Sequence, residues 1–115
     1  ENARRPWNLS APALAVGSHA MRQTAFVEAT RTRVERERRR MRETLDSRFD
    51  VRESAAPFLL LGVGDRPVGR LVAAVRERGI AVRDATTFRG LDSHIRVAVR
   101  DPEENDRLLV ALADV

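Results

Sequence analysis

Arginine is the residue type in this sequence whose placement most clearly suggests binding chemistry. Arg96 alternates with Ile95 and Val97 in an apolar and polar pattern, so its side chain is expected on the strand face opposite to the core. A guanidinium in such a place offers a rigid two-pronged fork to a carboxylate or a phosphate, where a lysine offers only a point charge. Arg83 ends the preceding predicted strand. The pattern alone leaves open that either arginine is an ordinary surface charge on a half-buried sheet.

Three further residues have side chains that could take part in binding. Trp7 and Asn8 come just before the first predicted helix, where a tryptophan can equally be a packing aromatic. His94 precedes Arg96 by two positions and could face the same side of the strand. A solvent-exposed histidine at the start of a strand is the preferred interpretation of His94.

The composition excludes several classes of enzyme site. The chain has 115 residues, of which 43% are apolar, enough for one compact domain or a large piece of one. It has no cysteine and no tyrosine, and every basic residue besides the histidines is arginine. Disulfides, thiol nucleophiles, a Schiff-base lysine and a P-loop lysine are therefore excluded from this chain. We predict no catalytic residue, and with two histidines we expect no metal site.

The charge balance does not by itself indicate nucleic-acid binding. The net charge is +4, and the sequence pI of 11.2 follows mainly from the high pKa of arginine. The run from Arg36 to Arg42 is interleaved with glutamates, so a solvated helix face is the preferred interpretation. The alternative function is a stand-alone arginine-rich module for nucleic acid or an acidic partner. Salt-dependent binding to random duplex DNA would distinguish this alternative.

Nothing in the sequence suggests a membrane protein or a secreted one. There is no run of about 18 apolar residues, and the N-terminus lacks the layout of a signal peptide. The absence of cysteine is compatible with a reducing compartment. We therefore expect no membrane partner and a cytoplasmic location.

Two helices are predicted in the first half of the chain. The first runs from Ala11 to Met21, with Ser10 as its cap and Pro12 in its first turn. The second runs from Thr24 to Asp46 with a narrow apolar stripe along one face and otherwise mostly arginine and glutamate. We expect i,i+4 ion pairs on this second helix at Arg31–Glu35, Glu35–Arg39 and Arg39–Glu43.

The second half alternates between strands and helices. Phe49 to Val51 resembles an edge strand, and the apolar run 57–63 resembles a central strand covered on both faces. We expect a helix capped by Asp65 and ended by Gly79. Further strands are predicted at 80–83 and 95–99, and a last helix begins with the capping box 101–104.

This order of elements predicts an α+β fold. N-terminal helices precede a small, mainly antiparallel sheet that is covered by helices. Residues 1–22 and 23–115 are expected to form two separate parts of the chain, a leading segment and a C-terminal domain.

Four segments in this order resemble a known enzyme family. They are Arg5-Pro6-Trp7-Asn8-Leu9-Ser10, Gly79-Ile80-Ala81-Val82-Arg83-Asp84, His94-Ile95-Arg96-Val97-Ala98-Val99 and Pro102-Glu103-Glu104-Asn105-Asp106-Arg107-Leu108-Leu109. Together they resemble the C-terminal small domain of fold-type I, pyridoxal-phosphate-dependent enzymes of the class I/II aminotransferase superfamily. The sequence is most similar to the histidinol-phosphate aminotransferase and threonine-phosphate decarboxylase families, the latter acting in cobalamin synthesis. The resemblance covers essentially the whole chain.

The resemblance implies that the cofactor and the catalytic lysine belong to a large domain that this sequence does not contain. That domain would be the partner of residues 1–22, and the parent enzyme is expected to be a homodimer with pyridoxal phosphate. The family match implies that Arg96 and Arg83 hold an anionic group of the substrate. It also implies that Trp7 and Asn8 line the cleft between the domains. By itself the chain is expected to be inactive and to bind no cofactor.

We predict that the chain forms no covalent adduct with pyridoxal phosphate on any internal residue. An internal aldimine requires a lysine amine, and the sequence has no lysine. The measurement is borohydride reduction after addition of the cofactor, followed by peptide mass spectrometry. A pyridoxyl group on an internal peptide would contradict the prediction, whereas an adduct on the terminal amine would not.

Overall fold

The structure of the chain is a computed structural model that describes residues 9–115. Trp7 and Asn8 lie outside the described residues. The chain divides into two compact units, residues 1–32 and 33–115. The helices are α1 (Ala11–Met21), α2 (Thr24–Leu45), α3 (Val68–Glu77) and α4 (Pro102–Ala113), and the strands are β1 (Asp50–Val51), β2 (Phe58–Gly62), β3 (Arg83–Asp84) and β4 (His94–Ala98).

The predicted first helix is confirmed, but none of its residues is buried. The Ser10 hydroxyl accepts a hydrogen bond from the Ala13 N–H at 3.3 Å, as expected of an N-cap. Leu14 and Val16 have 58% and 69% of their surface exposed. The described chain therefore offers α1 no surface that buries its apolar residues.

The second unit contains a four-stranded antiparallel sheet. Its strand order is β1-β2-β4-β3, so the predicted edge strand β1 and central strand β2 are both confirmed. The α+β fold class is also confirmed, since helices and an antiparallel sheet alternate along the chain. The core joins one sheet face to α2, α3 and α4. On that face lie the buried side chains Val51, Leu59, Leu61, Ile95 and Val97.

The opposite face of the sheet carries the polar side chains, and we call it the open face. It is formed by alternate residues of the same strands, Asp50, Phe58, Leu60, Gly62, His94, Arg96, Ala98 and Arg83. Phe58 and Leu60 are only half-buried, so the prediction that the central strand is covered on both faces is wrong. All three helices of this unit belong to the core cluster on the other face.

Two predicted element boundaries are also wrong. Pro67, not Asp65, occupies the N-cap position of α3, and no side chain caps this helix. The predicted strand 80–83 is reduced to Arg83–Asp84. After Gly79, whose φ of +76° ends α3, the Ile80 N–H still donates to the Val75 carbonyl and so remains tied to the helix end.

A buried carboxylate joins α2 to α4. The Glu37 side chain is only 3% exposed and accepts hydrogen bonds at Oε2 from Arg40 (2.8 Å) and from the Asn105 side-chain amide (3.0 Å). The same amide donates to the Arg100 carbonyl, and its oxygen accepts from the Arg100 N–H at 2.8 Å. Arg40 also reaches Asp106 at 2.6 Å. The network therefore connects α2, α4 and the chain segment that follows β4 to one another.

Hydrogen bonding keeps Glu37 ionised. Hydrogen bonds from Arg40, and then from Asn105, lower the pKa of Glu37 despite the opposing effect of burial. A carboxylate whose pKa is lower in the folded than in the unfolded state stabilises the fold above its unfolded pKa. This contribution is lost as the pH falls through the lowered folded value.

The prediction of a solvated face along α2 is therefore correct for only part of that helix. Glu37 was placed among the solvated charges, but it is buried against Asn105. Of the three predicted i,i+4 ion pairs, Glu35–Arg39 is present at 3.4 Å, and the other two are absent from the described structure. The apolar stripe is confirmed at its C-terminal end, where Met41 and Leu45 are buried.

Within residues 9–115, no helix is both long enough and apolar enough to cross a membrane.

We predict that Glu37→Ala destabilises the chain far more than Glu35→Ala. The first change removes the acceptor that Arg40 and Asn105 share and leaves one N–H of the buried Asn105 amide without a partner, at a cost of about 2 kcal/mol. Glu35 makes only an exposed ion pair, and its loss should cost about 0.5 kcal/mol or less. Urea denaturation measures both free energies of unfolding. Equal losses of unfolding free energy in the two variants would show that the buried Glu37 network stabilises the fold no more than an exposed ion pair does.

Candidate anion-binding site

The sheet register brings Arg83 and Arg96 together. Arg83 on β3 lies directly opposite Arg96 on β4, and Leu60 on β2 lies on the other side of Arg96. Residues that oppose each other on adjacent antiparallel strands point to the same face. Both arginine side chains therefore lie on the open face, and the apolar side chain of Leu60 lies next to Arg96.

This arrangement carries an electrostatic cost. Like charges directly opposite each other on neighbouring strands destabilise a sheet. Both arginines are exposed, and neither makes an ion pair with any carboxylate of the described residues. Among the other described arginines seven have such a partner and ten have none, so the direct opposition, and not the missing ion pair, distinguishes Arg83 and Arg96. The opposed pair is therefore suited to share an anion supplied from outside.

Aromatic rings support both guanidinium groups. The Arg96 guanidinium lies 5.0 Å from the ring centroid of Phe58, and that of Arg83 lies 5.8 Å from the ring centroid of Phe88. Cation–π contacts of this kind are worth about 0.5–1 kcal/mol at exposed sites. Neither guanidinium donates a side-chain hydrogen bond within the described residues, so the N–H groups of both forks remain available to oxygen ligands beside the rings.

The turn after β3 is fixed by Asp84. Its Oδ1 accepts hydrogen bonds from the Thr86 N–H at 2.8 Å and the Thr86 hydroxyl at 2.7 Å. These bonds lower the pKa of Asp84. The Ala85 N–H then donates to the His94 carbonyl at 3.1 Å, which continues the pairing of β3 with β4. A short edge strand is thereby held in register beside Arg96.

His94 is the residue whose environment differs most from the prediction. We expected an exposed histidine, but only 9% of its surface is exposed, so that prediction is wrong. The backbone N–H of His94 donates to the Leu91 carbonyl, and His94 lies opposite Gly62 of β2 in the sheet. Its ring shares the open face with Arg96, as i,i+2 spacing on a strand requires. Neither ring nitrogen has a hydrogen-bond partner among the described residues.

The structure thus brings together three of the candidate residues, Arg83, Arg96 and His94, on one sheet face. Trp7 and Asn8 lie outside the described residues, so their proximity to this face stays a prediction. Sequence reasoning missed Phe58 and Phe88 as supports, because a cation–π contact depends on strand register and loop path. The i,i+2 spacing of His94 and Arg96 correctly indicated a shared face, but it carried no information about the burial of His94.

Chemically, the site is suited to bind an anion. Two guanidinium forks on one exposed face offer several N–H donors and two fixed positive charges to carboxylate or phosphate oxygens. Bidentate binding of this kind fixes the orientation of the bound group as well as its position.

Comparison with known proteins relates the whole chain to one enzyme family. The family model described as "Aminotransferase class I and II" matches residues 1–112. Histidinol-phosphate aminotransferase 1 of Archaeoglobus fulgidus is 36% identical over 113 residues, which are 98% of this chain and 34% of that protein. Histidinol-phosphate aminotransferase of Methanoculleus marisnigri is 35% identical over 120 residues, covering 100% of this chain and 32% of that protein.

Solved structures give the same relationship. The histidinol-phosphate aminotransferase of Clostridium acetobutylicum superposes with a TM-score of 0.84 at 26% identity, over 97% of this chain and 35% of that one. A decarboxylase from Sulfurospirillum multivorans superposes with a TM-score of 0.75 at 27% identity, over 94% of this chain and 32% of that one. The chain therefore spans about a third of the length of the relatives it matches.

Proposed function

Because this chain belongs to the class I and II aminotransferase family, we propose that it is the C-terminal small domain of a pyridoxal-phosphate-dependent enzyme. The whole enzyme would be an aminotransferase or an amino-acid decarboxylase acting on a phosphorylated, amino-acid-like substrate. In this proposal Arg96 and Arg83 hold the anionic group of the substrate in the cleft between the domains. Trp7 and Asn8 would line the same cleft.

One observation carries the role of the arginines. Arg83 and Arg96 are directly opposed on adjacent strands, exposed, and without a carboxylate partner among the described residues. A bound phosphate or carboxylate would replace the repulsion between the two guanidinium groups by two attractive contacts.

The residues of this chain do not fit covalent attachment of pyridoxal phosphate. The cofactor supplies an electron sink for carbanion chemistry when it is held as an imine of a lysine, and this sequence contains no lysine. The contribution of this chain is therefore to bind and orient the substrate anion through Arg83 and Arg96. Attachment of the cofactor would belong to the large domain.

The large domain is also the proposed partner of residues 1–22, while residues 23–115 form the small domain. The helix α1 has apolar side chains but buries none of them within this chain. Covering such residues is a normal function of a domain or subunit interface. The greater length of the matched relatives leaves room for a large domain that does this. We propose that the whole enzyme is a homodimer in the cytoplasm.

The reaction could be a transamination or a decarboxylation. Among the matched proteins are histidinol-phosphate aminotransferases and one decarboxylase, which superpose on the same fold. The anion held by Arg83 and Arg96 serves both reactions equally well. We propose that the choice is made by how the large domain orients the substrate over the cofactor, not by this chain.

The alternative of a stand-alone arginine-rich module has less support. The middle of α2 carries the arginines that this alternative needs, but carboxylates neutralise several of them. Arg39 pairs with Glu35, Arg40 with Glu37 and Asp106, and Arg42 with Glu53. The α2 face is therefore a mixed surface with both signs of charge, and nucleic acid is not a proposed partner.

We predict that amides in α1 exchange rapidly in the monomeric chain. Helix α1 has no buried residue, so its hydrogen bonds have no packing to protect them against local opening. The amides of β2 and β4, which pair with each other at the centre of the sheet, provide the protected control. Hydrogen exchange measures both sets. Protection of α1 equal to that of the sheet in a demonstrated monomer would contradict the proposal that this segment needs a partner.

We predict that Arg96→Lys, made in the enzyme that contains the large domain, lowers kcat/KM for an anionic substrate at least tenfold. Lysine keeps the charge but loses the fork, so about 1.4 kcal/mol or more of transition-state stabilisation is lost. Arg107→Lys is the matched control, because Arg107 lies exposed on α4. Steady-state kinetics measure both. An equal loss in the two variants would show that Arg96 is only a surface charge.

A further inference from the structure

The strand β2 contributes only apolar groups to the open face. Its residues there are Phe58, Leu60 and Gly62, whereas the flanking strands carry the charged side chains of that face. Leu60 is only half-buried, because the helices of this unit pack on the other face, where they bury Leu59 and Leu61. An apolar surface beside a few charged groups is the usual composition of a site for an organic ligand.

The row of residues that crosses Leu60 has free charge at one end only. On one side of Leu60 lie Arg96 and then Arg83, neither of which has a carboxylate partner among the described residues. On the other side lies Arg52, whose N–H donates to the Leu60 carbonyl at 3.0 Å and whose guanidinium is paired with Asp50 at 3.0 Å. The row therefore fits a ligand with one anionic end and an apolar body.

The guanidinium of Arg96 lies close to the apolar strand. It is 5.0 Å from the ring centroid of Phe58, which precedes Leu60 by two positions on the same face of β2. Leu60 is also directly opposite Arg96, a relation that brings two Cβ atoms to within about 5 Å of each other. An anion bound to Arg96 is therefore held beside β2, and a group of a few carbon atoms attached to it reaches Leu60.

We propose that Leu60 is a specificity-determining residue of the anion site, and that the site takes phosphate monoesters with an apolar body in preference to smaller phosphates. This inference rests on the proposed role of Arg83 and Arg96. The two guanidinium groups bind the phosphate oxygens, and the hydrocarbon beyond the ester oxygen lies on Leu60. Removal of about 40 Å² of apolar surface from water in this contact corresponds to about fivefold in affinity.

Methyl phosphate and cyclohexyl phosphate are the suitable probes, because they carry the same charge and differ only in the apolar body. The cyclohexyl ring has no π system, so it cannot gain affinity by stacking on a guanidinium. The amide NMR signals of Arg83 and Arg96 report binding of each ester to the chain. The titrations are run at low ionic strength and about pH 8, where both monoesters are dianions.

We expect cyclohexyl phosphate to bind at least about fivefold more tightly than methyl phosphate. The methyl signals of Leu60 should shift with the cyclohexyl ester and not with the methyl ester. In Leu60→Ala the preference should fall to about twofold or less, while the affinity for methyl phosphate stays unchanged. Leu60→Met keeps the apolar surface and should retain the preference. Val110→Ala is the matched control, since Val110 is an exposed apolar residue of α4, and it should change neither affinity.

Two failures are distinguishable. If both esters perturb Arg83 and Arg96 with equal affinity, the inference about Leu60 is wrong and the anion site stands. A preference for the cyclohexyl ester that persists in Leu60→Ala overturns the inference in the same way. If neither ester perturbs either arginine, the anion site itself is wrong and the inference falls with it.

Discussion

The buried carboxylate of Glu37 is the constraint on which the arrangement of the second unit depends. Its partners are Arg40 on the same helix and Asn105 on α4, and Asn105 is bonded in turn to both backbone groups of Arg100. Asn105 of α4 donates to this carboxylate and Asp106 of α4 accepts from Arg40, so separating α2 from α4 would break both of these interactions. Because Arg100 lies two residues after β4, the network also holds the chain segment where the strand ends. The position of Arg96 on that strand is thereby tied to the helices on the opposite face.

The two faces of the sheet have opposite physical character. One face buries aliphatic side chains against three helices and supplies most of the stability, at about 1.5–3 kcal/mol for each fully buried side chain. The open face carries two opposed arginines and a buried, unpartnered histidine, features that reduce stability in isolation. Residues that violate the rules of stable folding are expected where a protein binds something. The helix-covered face therefore supplies the stability, and the open face carries the residues that are suited to binding.

The helices and strands were predicted well where local signals were strong, such as capping residues or a regular spacing of apolar residues that are buried in the core. The α4 cap at Asp101, the end of α3 at Gly79 and the alternation of β4 all follow from local chemistry and are observed. The buried state of Glu37 and His94 could not be predicted, because each depends on residues far away in the chain or on a loop path. The opposition of Arg83 and Arg96 likewise depends on strand register. The strand pattern together with the family resemblance made both residues candidates, but only the fold makes them neighbours.

The most direct test of the central claim, that Arg83 and Arg96 form one anion site, is a double-mutant cycle on the free energy of unfolding. The native chain, Arg83→Gln, Arg96→Gln and the double variant are compared in chloride and in sulfate at equal ionic strength. In chloride, the coupling between the two arginines should be repulsive, on the order of 0.5 kcal/mol. In sulfate it should become attractive, because the dianion bridges the two guanidinium groups. The same coupling in both salts would contradict the claim.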